Sequence, residues 1–114
     1  MIKIYHNTRC SKSREGLEIV ENSGQEFEVR EYLKQPLSED ELKNLLQKLQ
    51  MKPSEIVRRN ENIWKEQFKN QNLNDEELIK ILVDNPQLIE RPIVEKDHKA
   101  VVGRPSSEIE KLIN

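Results

Sequence analysis

Ile4-Tyr5-His6-Asn7-Thr8-Arg9-Cys10-Ser11-Lys12-Ser13-Arg14-Glu15-Gly16 is the stretch whose reading decides the fold. Cys10 is the only cysteine in the chain. Ahead of it, Ile2 and Ile4 alternate with other residues, the period of a strand. Behind it, Leu17, Ile19 and Val20 read as one face of a helix. The thiol therefore stands where a strand ends and a helix begins. The first amides of a helix have no partner inside it, and with the helix dipole they favour negative charge. A thiol placed there loses its proton more readily, and the thiolate is the reactive form. Ser11, Lys12, Ser13 and Arg14 add hydroxyl donors and positive charge, and His6 lies four residues upstream. A free cysteine is commonly a small buried residue; these neighbours point instead to a thiolate or a bound oxyanion. A Cys-x-x-Cys pair would need a thiol at Ser13, so Cys-Ser-Lys-Ser is a monothiol version.

The composition narrows the class. With 114 residues the chain is expected to form one domain, 1–114. Charged residues make up 35%, with both signs mixed and a net charge of −2. That argues against a basic nucleic-acid surface and against an acidic tail. No apolar run reaches the roughly 18 residues of a membrane span, and no signal-peptide pattern opens the chain. A lone cysteine suits a reducing compartment, hence an expected cytoplasmic location. One cysteine forms no disulfide within a single chain. An oxidised Cys10 would need a thiol from another molecule to reduce it.

The first helix is expected from about Lys12 to Asn22, ended by Ser23-Gly24 with Gly24 left-handed. Phe27 and Val29, with Tyr32 beyond them, then give a second strand. Strand, helix and strand make a βαβ unit with parallel strands. Gln35-Pro36 breaks the chain. Ser38-Glu39-Asp40-Glu41 is a capping box, followed by Leu42, Leu45, Leu46 and Leu49 at helical spacing. Pro53-Ser54 should open a short helix, Glu55 to about Arg59. Ile63, Trp64 and Phe68 supply a further apolar set. Asn74 caps a helix carrying Leu78, Ile79, Ile81 and Leu82, with Pro86 at its end. The segment from about 37 to 85 thus reads as a helical insertion. Pro92 to Glu95 and Ala100 to Gly103 flank Lys96-Asp97-His98-Lys99, a hairpin with an expected four-residue turn. Arg104-Pro105-Ser106-Ser107 begins a last helix with Ile109, Leu112 and Ile113 inward. The order is β-α-β, helices, β-β-α. This is a thioredoxin-like mixed four-stranded sheet with an inserted helical subdomain. In that arrangement a proline ahead of the third strand usually follows a cis peptide bond and faces the cysteine. Pro92 is the candidate.

The segment His6 to Arg14 resembles the active-site segment of the glutaredoxin-coupled arsenate reductases. Ile56-Val57-Arg58-Arg59-Asn60, Asn85-Pro86, Glu90-Arg91-Pro92-Ile93-Val94 and Gly103-Arg104-Pro105-Ser106 resemble that family's later motifs, in the same order. The likeness covers essentially the whole chain. It implies the inserted thioredoxin-like fold, arsenate as oxyanion substrate, and glutathione with glutaredoxin as reductant. It also implies no bound cofactor or metal. By motif position Cys10 becomes the nucleophile, and Arg58, Arg91 and Arg104 the oxyanion binders. Arginine suits a tetrahedral oxyanion because its fork stays charged and binds two oxygens at once. His6 and Ser13 would support the thiolate as donors, Lys12 and Arg14 through their charge, and Pro92 by its cis bond. Thr8 stands where members often have proline. The chain stops soon after its last helix, like the family's short branch.

Three other readings compete. A tyrosine-phosphatase-like loop needs an arginine six residues after the cysteine, where Gly16 stands. A monothiol glutaredoxin-like thiol transferase fits Cys10 but gives no reason for the arginine set. A non-enzymatic regulator like the Spx proteins, which bind RNA polymerase, typically carries Cys-x-x-Cys, and Ser13 speaks against it.

Overall fold

A computed structural model describes residues 1–114. The elements are β1 (Ile2–Tyr5), α1 (Ser11–Asn22), β2 (Phe27–Arg30), α2 (Glu39–Leu49), α3 (Asn62–Gln67), α4 (Asp75–Asp84), β3 (Ile93–Lys96), β4 (Lys99–Val102) and α5 (Ser107–Ile113). Short 3₁₀ turns occupy Pro53–Ile56 and Pro86–Leu88. No helix is long and apolar enough to cross a membrane. Two compact units emerge, Met1–Gln35 with Arg91–Asn114, and Pro36–Glu90.

The first unit holds a four-stranded sheet in the order β2-β1-β3-β4. β1 pairs parallel with β2 and antiparallel with β3, and β3 pairs antiparallel with β4. This is the thioredoxin-like arrangement. Ile2 and Ile4 of β1 join Val94 of β3, Val20 of α1, and Ile109 and Ile113 of α5 in one buried cluster. The alternation along β1 places Ile2 and Ile4 on the face that α1 and α5 cover. Gly24 ends α1 with φ 72°, a left-handed conformation that glycine adopts freely.

The join between α1, β3 and α5 is unusually close. A Cβ on Gly16 would lie 2.9 Å from both Pro92 Cγ and Ile109 Cδ1. A Cβ on Gly103 would lie 2.6 Å from Ile109 Cδ1 and 3.1 Å from Pro92 Cγ. Gly103 also donates its amide to the Pro92 carbonyl at 2.8 Å. Two glycines thus leave the space that one proline ring and one isoleucine fill.

The second unit is helical. Ser38 caps α2 by accepting the Glu41 amide, and Glu41 reaches back to the Ser38 amide. Asn74 and Glu77 do the same for α4. Leu42, Leu45, Leu46 and Leu49 of α2 are buried, as are Leu78, Ile79 and Leu82 of α4, and the two helices pack together.

Four boundaries differ from the sequence reading. β2 stops at Arg30, and Tyr32 lies in a turn closed by the Gln35 amide on the Glu31 carbonyl at 2.9 Å. The helix expected at Glu55–Arg59 is a 3₁₀ turn, Pro53–Ile56, followed by extended chain. Arg58 donates to the Leu88 carbonyl and Glu90 to that of Ile56, each at 2.8 Å, which holds Val57 extended. The hairpin turn has two residues, not four, because Asp97 adopts φ 56° and lets Lys96 pair with Lys99. α5 begins at Ser107, after a second cis bond at Arg104–Pro105 that the sequence reading did not anticipate.

The glycine contacts make a prediction. Gly103→Ala should destabilise by roughly 1–3 kcal/mol through overpacking, measured by urea unfolding. Ile109→Ala, which removes both Cδ1 and the Cγ1 that would lie 2.8 Å from the new Cβ, should alone also cost stability, roughly 2–5 kcal/mol. Together they should cost clearly less than the two single losses added. Strict additivity would show that the two positions do not share one space.

Candidate active site

Cys10 is the N-cap of α1, with an extended backbone at φ −97° and ψ 123°. Its carbonyl accepts the Arg14 amide at 3.0 Å, and its own amide donates to the Asn7 carbonyl at 3.1 Å. The Asn7 side chain accepts the Arg9 amide at 3.0 Å, which shapes the turn from inside. The His6 amide continues the parallel ladder onto the Arg30 carbonyl at 2.9 Å. The loop from β1 to the thiol is therefore fixed at both ends.

The thiol is partly buried and unpaired. Arg91 donates Nε–H to Cys10 Sγ at 3.2 Å. Arg91 stands directly before cis-Pro92, as the thioredoxin-like arrangement anticipates for that proline. The Pro92 ring packs on Gly16, six residues along α1 from the thiol. Burial on its own pushes the Cys10 thiol up. The Ser13 amide, the Arg91 hydrogen bond, the Arg91 charge and the Lys12 amide outweigh it and hold the thiol below its ordinary value.

The supporting residues act differently from what the sequence suggested. Ser13 is fully buried. Its hydroxyl contacts His6 Nδ1 at 2.7 Å and accepts the Asn7 amide at 2.9 Å. Ser13 favours the thiolate through its backbone amide. Lys12 also works through its amide, while its ammonium pairs with Glu15 at 3.8 Å. Arg14 donates to the Thr8 carbonyl at 3.0 Å and so ties α1 to the loop. His6 is held below the usual imidazole value, first by burial; the charge of Glu31 opposes this and that of Arg14 assists it. The structure brings His6 to Ser13.

The arginines are placed unequally. Arg91 touches the sulfur. Arg104 is exposed just past β4, one residue after Gly103. Arg58 lies in the helical unit, where its guanidinium meets the Gln87 carbonyl at 3.2 Å and the Glu61 carboxylate at 3.3 Å. Its neighbour Arg59 donates to the Ser54 carbonyl and stacks 5.5 Å from the Trp64 ring centre. No group of three or more His, Cys, Asp or Glu side chains is placed to hold a metal ion. Asn7 was missed as a site residue, although an asparagine three residues before the thiol is a recognisable turn signal.

These contacts set an expectation for the thiol. The rate of Cys10 alkylation by iodoacetamide should rise with a pH midpoint below the free-cysteine value of about 8.5. Arg91→Ala should move the midpoint upward, because the thiolate then loses the charge and hydrogen bond that favour it. An unchanged midpoint in Arg91→Ala would remove the arginine from the account of the thiolate.

Comparison with known proteins agrees with this geometry. The chain is 43% identical to the uncharacterized protein YfgD of Escherichia coli (strain K12), over 98% of this chain and 96% of that one. It is 41% identical to a protein of Neisseria meningitidis named arsenate reductase, over 98% of this chain and 97% of that one. The solved structure of an arsenate reductase from Vibrio cholerae superposes with a TM-score of 0.91 at 38% identity, covering 96% of this chain and 95% of that one. The model of the ArsC family matches residues 5–112. The chain belongs to the ArsC family.

Proposed function

We propose that this chain is a thiol-dependent arsenate reductase. The observation that carries the reading is the Arg91 guanidinium 3.2 Å from the Cys10 sulfur, at the amino end of α1. The relatives named arsenate reductase, matched over nearly their whole length, support it. A tetrahedral oxyanion that approaches this thiolate meets a charged fork and the positive amino end of α1 together.

The reaction runs in three steps. The Cys10 thiolate attacks arsenic(V); a sulfur–arsenic bond forms and one arsenate oxygen leaves as water. A second thiol, glutathione, attacks the Cys10 sulfur. A sulfur–sulfur bond forms, and the pair of the sulfur–arsenic bond stays on arsenic, which leaves as arsenite(III). The two sulfurs have supplied the two electrons. The remaining mixed disulfide on Cys10 is reduced by glutaredoxin, since the chain offers no second thiol. Arg91 and Arg104 bind the oxyanion, and Arg58 is assigned with them from the family motif. Ser13 and Lys12 stabilise the thiolate by their amides, His6 fixes Ser13, Arg14 holds the loop, and Pro92 sets Arg91. A reducing cytoplasm suits this chemistry.

NADPH consumption with arsenate, glutathione, glutaredoxin and glutathione reductase tests the reading. Cys10→Ser should abolish it. Arg91→Ala and Arg104→Ala should each lower the rate by about ten- to a hundredfold. Arg91→Lys should recover part, since lysine supplies charge without the fork. Reduction of a small glutathione mixed disulfide should suffer much less. A wild type that reduces the mixed disulfide and leaves arsenate untouched would make the chain a thiol transferase instead.

A further inference from the structure

One ring nitrogen of His6 has no partner. The residue is 5% exposed, and Nδ1 is held by Ser13 at 2.7 Å. Nε2 makes no hydrogen bond to any protein group. It is also absent from the polar atoms sealed away from solvent. His6 lines a recess of about 210 Å³ together with Asn7, Thr8, Arg9, Glu31, Leu33 and Lys34. Cys10 does not line it, but the turn that carries Cys10 does. Asn7, Thr8 and Arg9 are the first three residues of the turn closed by the Cys10 amide on Asn7.

Arg9 is the second observation. Its amide bonds the Asn7 side chain, but its guanidinium makes no hydrogen bond or ion pair. The neighbouring cations are all engaged: Lys12 with Glu15, Arg14 with Thr8, Lys34 with Glu31 at 3.5 Å, and Arg91 with Cys10. Glu31 disfavours an anion here, yet it already faces Lys34. Arg9 and Lys34 against Glu31 leave one positive charge in excess.

We propose that this recess is the subsite for the carboxylate end of the small peptide thiol that reduces the Cys10 adduct. The Arg9 fork and the Nε2–H of His6 hold that carboxylate. The proposal rests on the reading of Cys10 as the nucleophile of a thiol-dependent reductase. The proton arrangement is consistent. Ser13 Oγ accepts the Asn7 amide, and in the tautomer where its hydroxyl donates to Nδ1 the ring proton is on Nε2, facing the recess. The size is also consistent. Pockets that enclose a whole ligand span roughly 300–1,000 Å³, so only one end of a tripeptide enters here. Its cysteine and terminal residue together span at most about 7 Å. The rim of the recess and the thiol share one loop, because the turn that holds Asn7, Thr8 and Arg9 is closed by the Cys10 amide on the Asn7 carbonyl.

The test is an NMR titration of the wild type with S-methylglutathione, a thioether that cannot react, and with its diester, which has both carboxylates blocked. The His6 ring and the Arg9 side-chain Nε–H should shift. The diester should bind about tenfold more weakly. In Arg9→Ala the acid should fall to the level of the diester, and the diester should not change; Arg9→Lys should lie between. In turnover, Arg9→Ala should raise KM for glutathione about tenfold and leave kcat, KM for arsenate and the rate with carboxylate-free 2-mercaptoethanol unchanged. Equal binding of acid and diester, or an acid–diester gap that survives Arg9→Ala, overturns the proposal. The titration needs no arsenate. Failure of the wild type to reduce arsenate would remove the functional reading while the subsite is still decided by binding.

Discussion

The contact from Arg91 to Cys10 is the constraint on which the rest of this molecule depends. The two residues are 81 positions apart, and the sheet brings their segments together. β1 pairs antiparallel with β3, so Tyr5, the last residue of β1, lies opposite Ile93, the first of β3. Whatever follows β1 therefore meets whatever precedes β3. The thiol comes from one side of that junction and the guanidinium from the other. A shift of register by one residue would turn the inward set of β1 outward and separate the pair as well. Core packing and active-site geometry are in this sense fixed by the same strand alignment.

Burial raises the thiol's pKa, and hydrogen bonds and charge lower it. The lowering contributions come from the Ser13 amide first, then from the hydrogen bond and charge of Arg91, the one side chain, and then from the Lys12 amide. This explains why a run of polar residues after the cysteine misleads as to role. Ser13 and Lys12 are needed at their positions, but the groups that face the sulfur are amides every residue but proline carries. The Ser13 side chain has a different task, to hold His6 and the Asn7 amide, and so to fix the loop that delivers the thiol.

Much of this was legible before any coordinates. The strand-to-helix junction at Cys10 was visible in the switch of apolar period around it. The caps at Ser38 and Asn74 were visible because a capping box is a local chemical pattern. Cis-Pro92 came from topology. What escaped the sequence is long-range. Val57 is extended because Arg58 and Glu90 bond across to Leu88 and Ile56, and no local propensity records that. The two-residue hairpin turn depends on Asp97 taking a left-handed conformation, which aspartate tolerates but does not announce. The motif gave Arg58, Arg91 and Arg104 as a set, whereas only the coordinates distinguish the one that touches sulfur.

The packing of Pro92 and Ile109 between two glycines has a consequence for how such chains can diverge. Positions 16, 103 and 109 draw on one fixed volume beside the Pro92 ring. A larger residue at 103 is tolerated only if 109 gives up both Cδ1 and Cγ1 in return, whereas one at 16 also meets the Pro92 ring at 2.9 Å. Positions 103 and 109 should therefore covary across relatives, with a side chain at 103 accompanied by alanine at 109, while 16 stays glycine as long as 92 is proline. Side-chain volume is the conserved quantity at 103 and 109, while the identity of each residue there is free to drift.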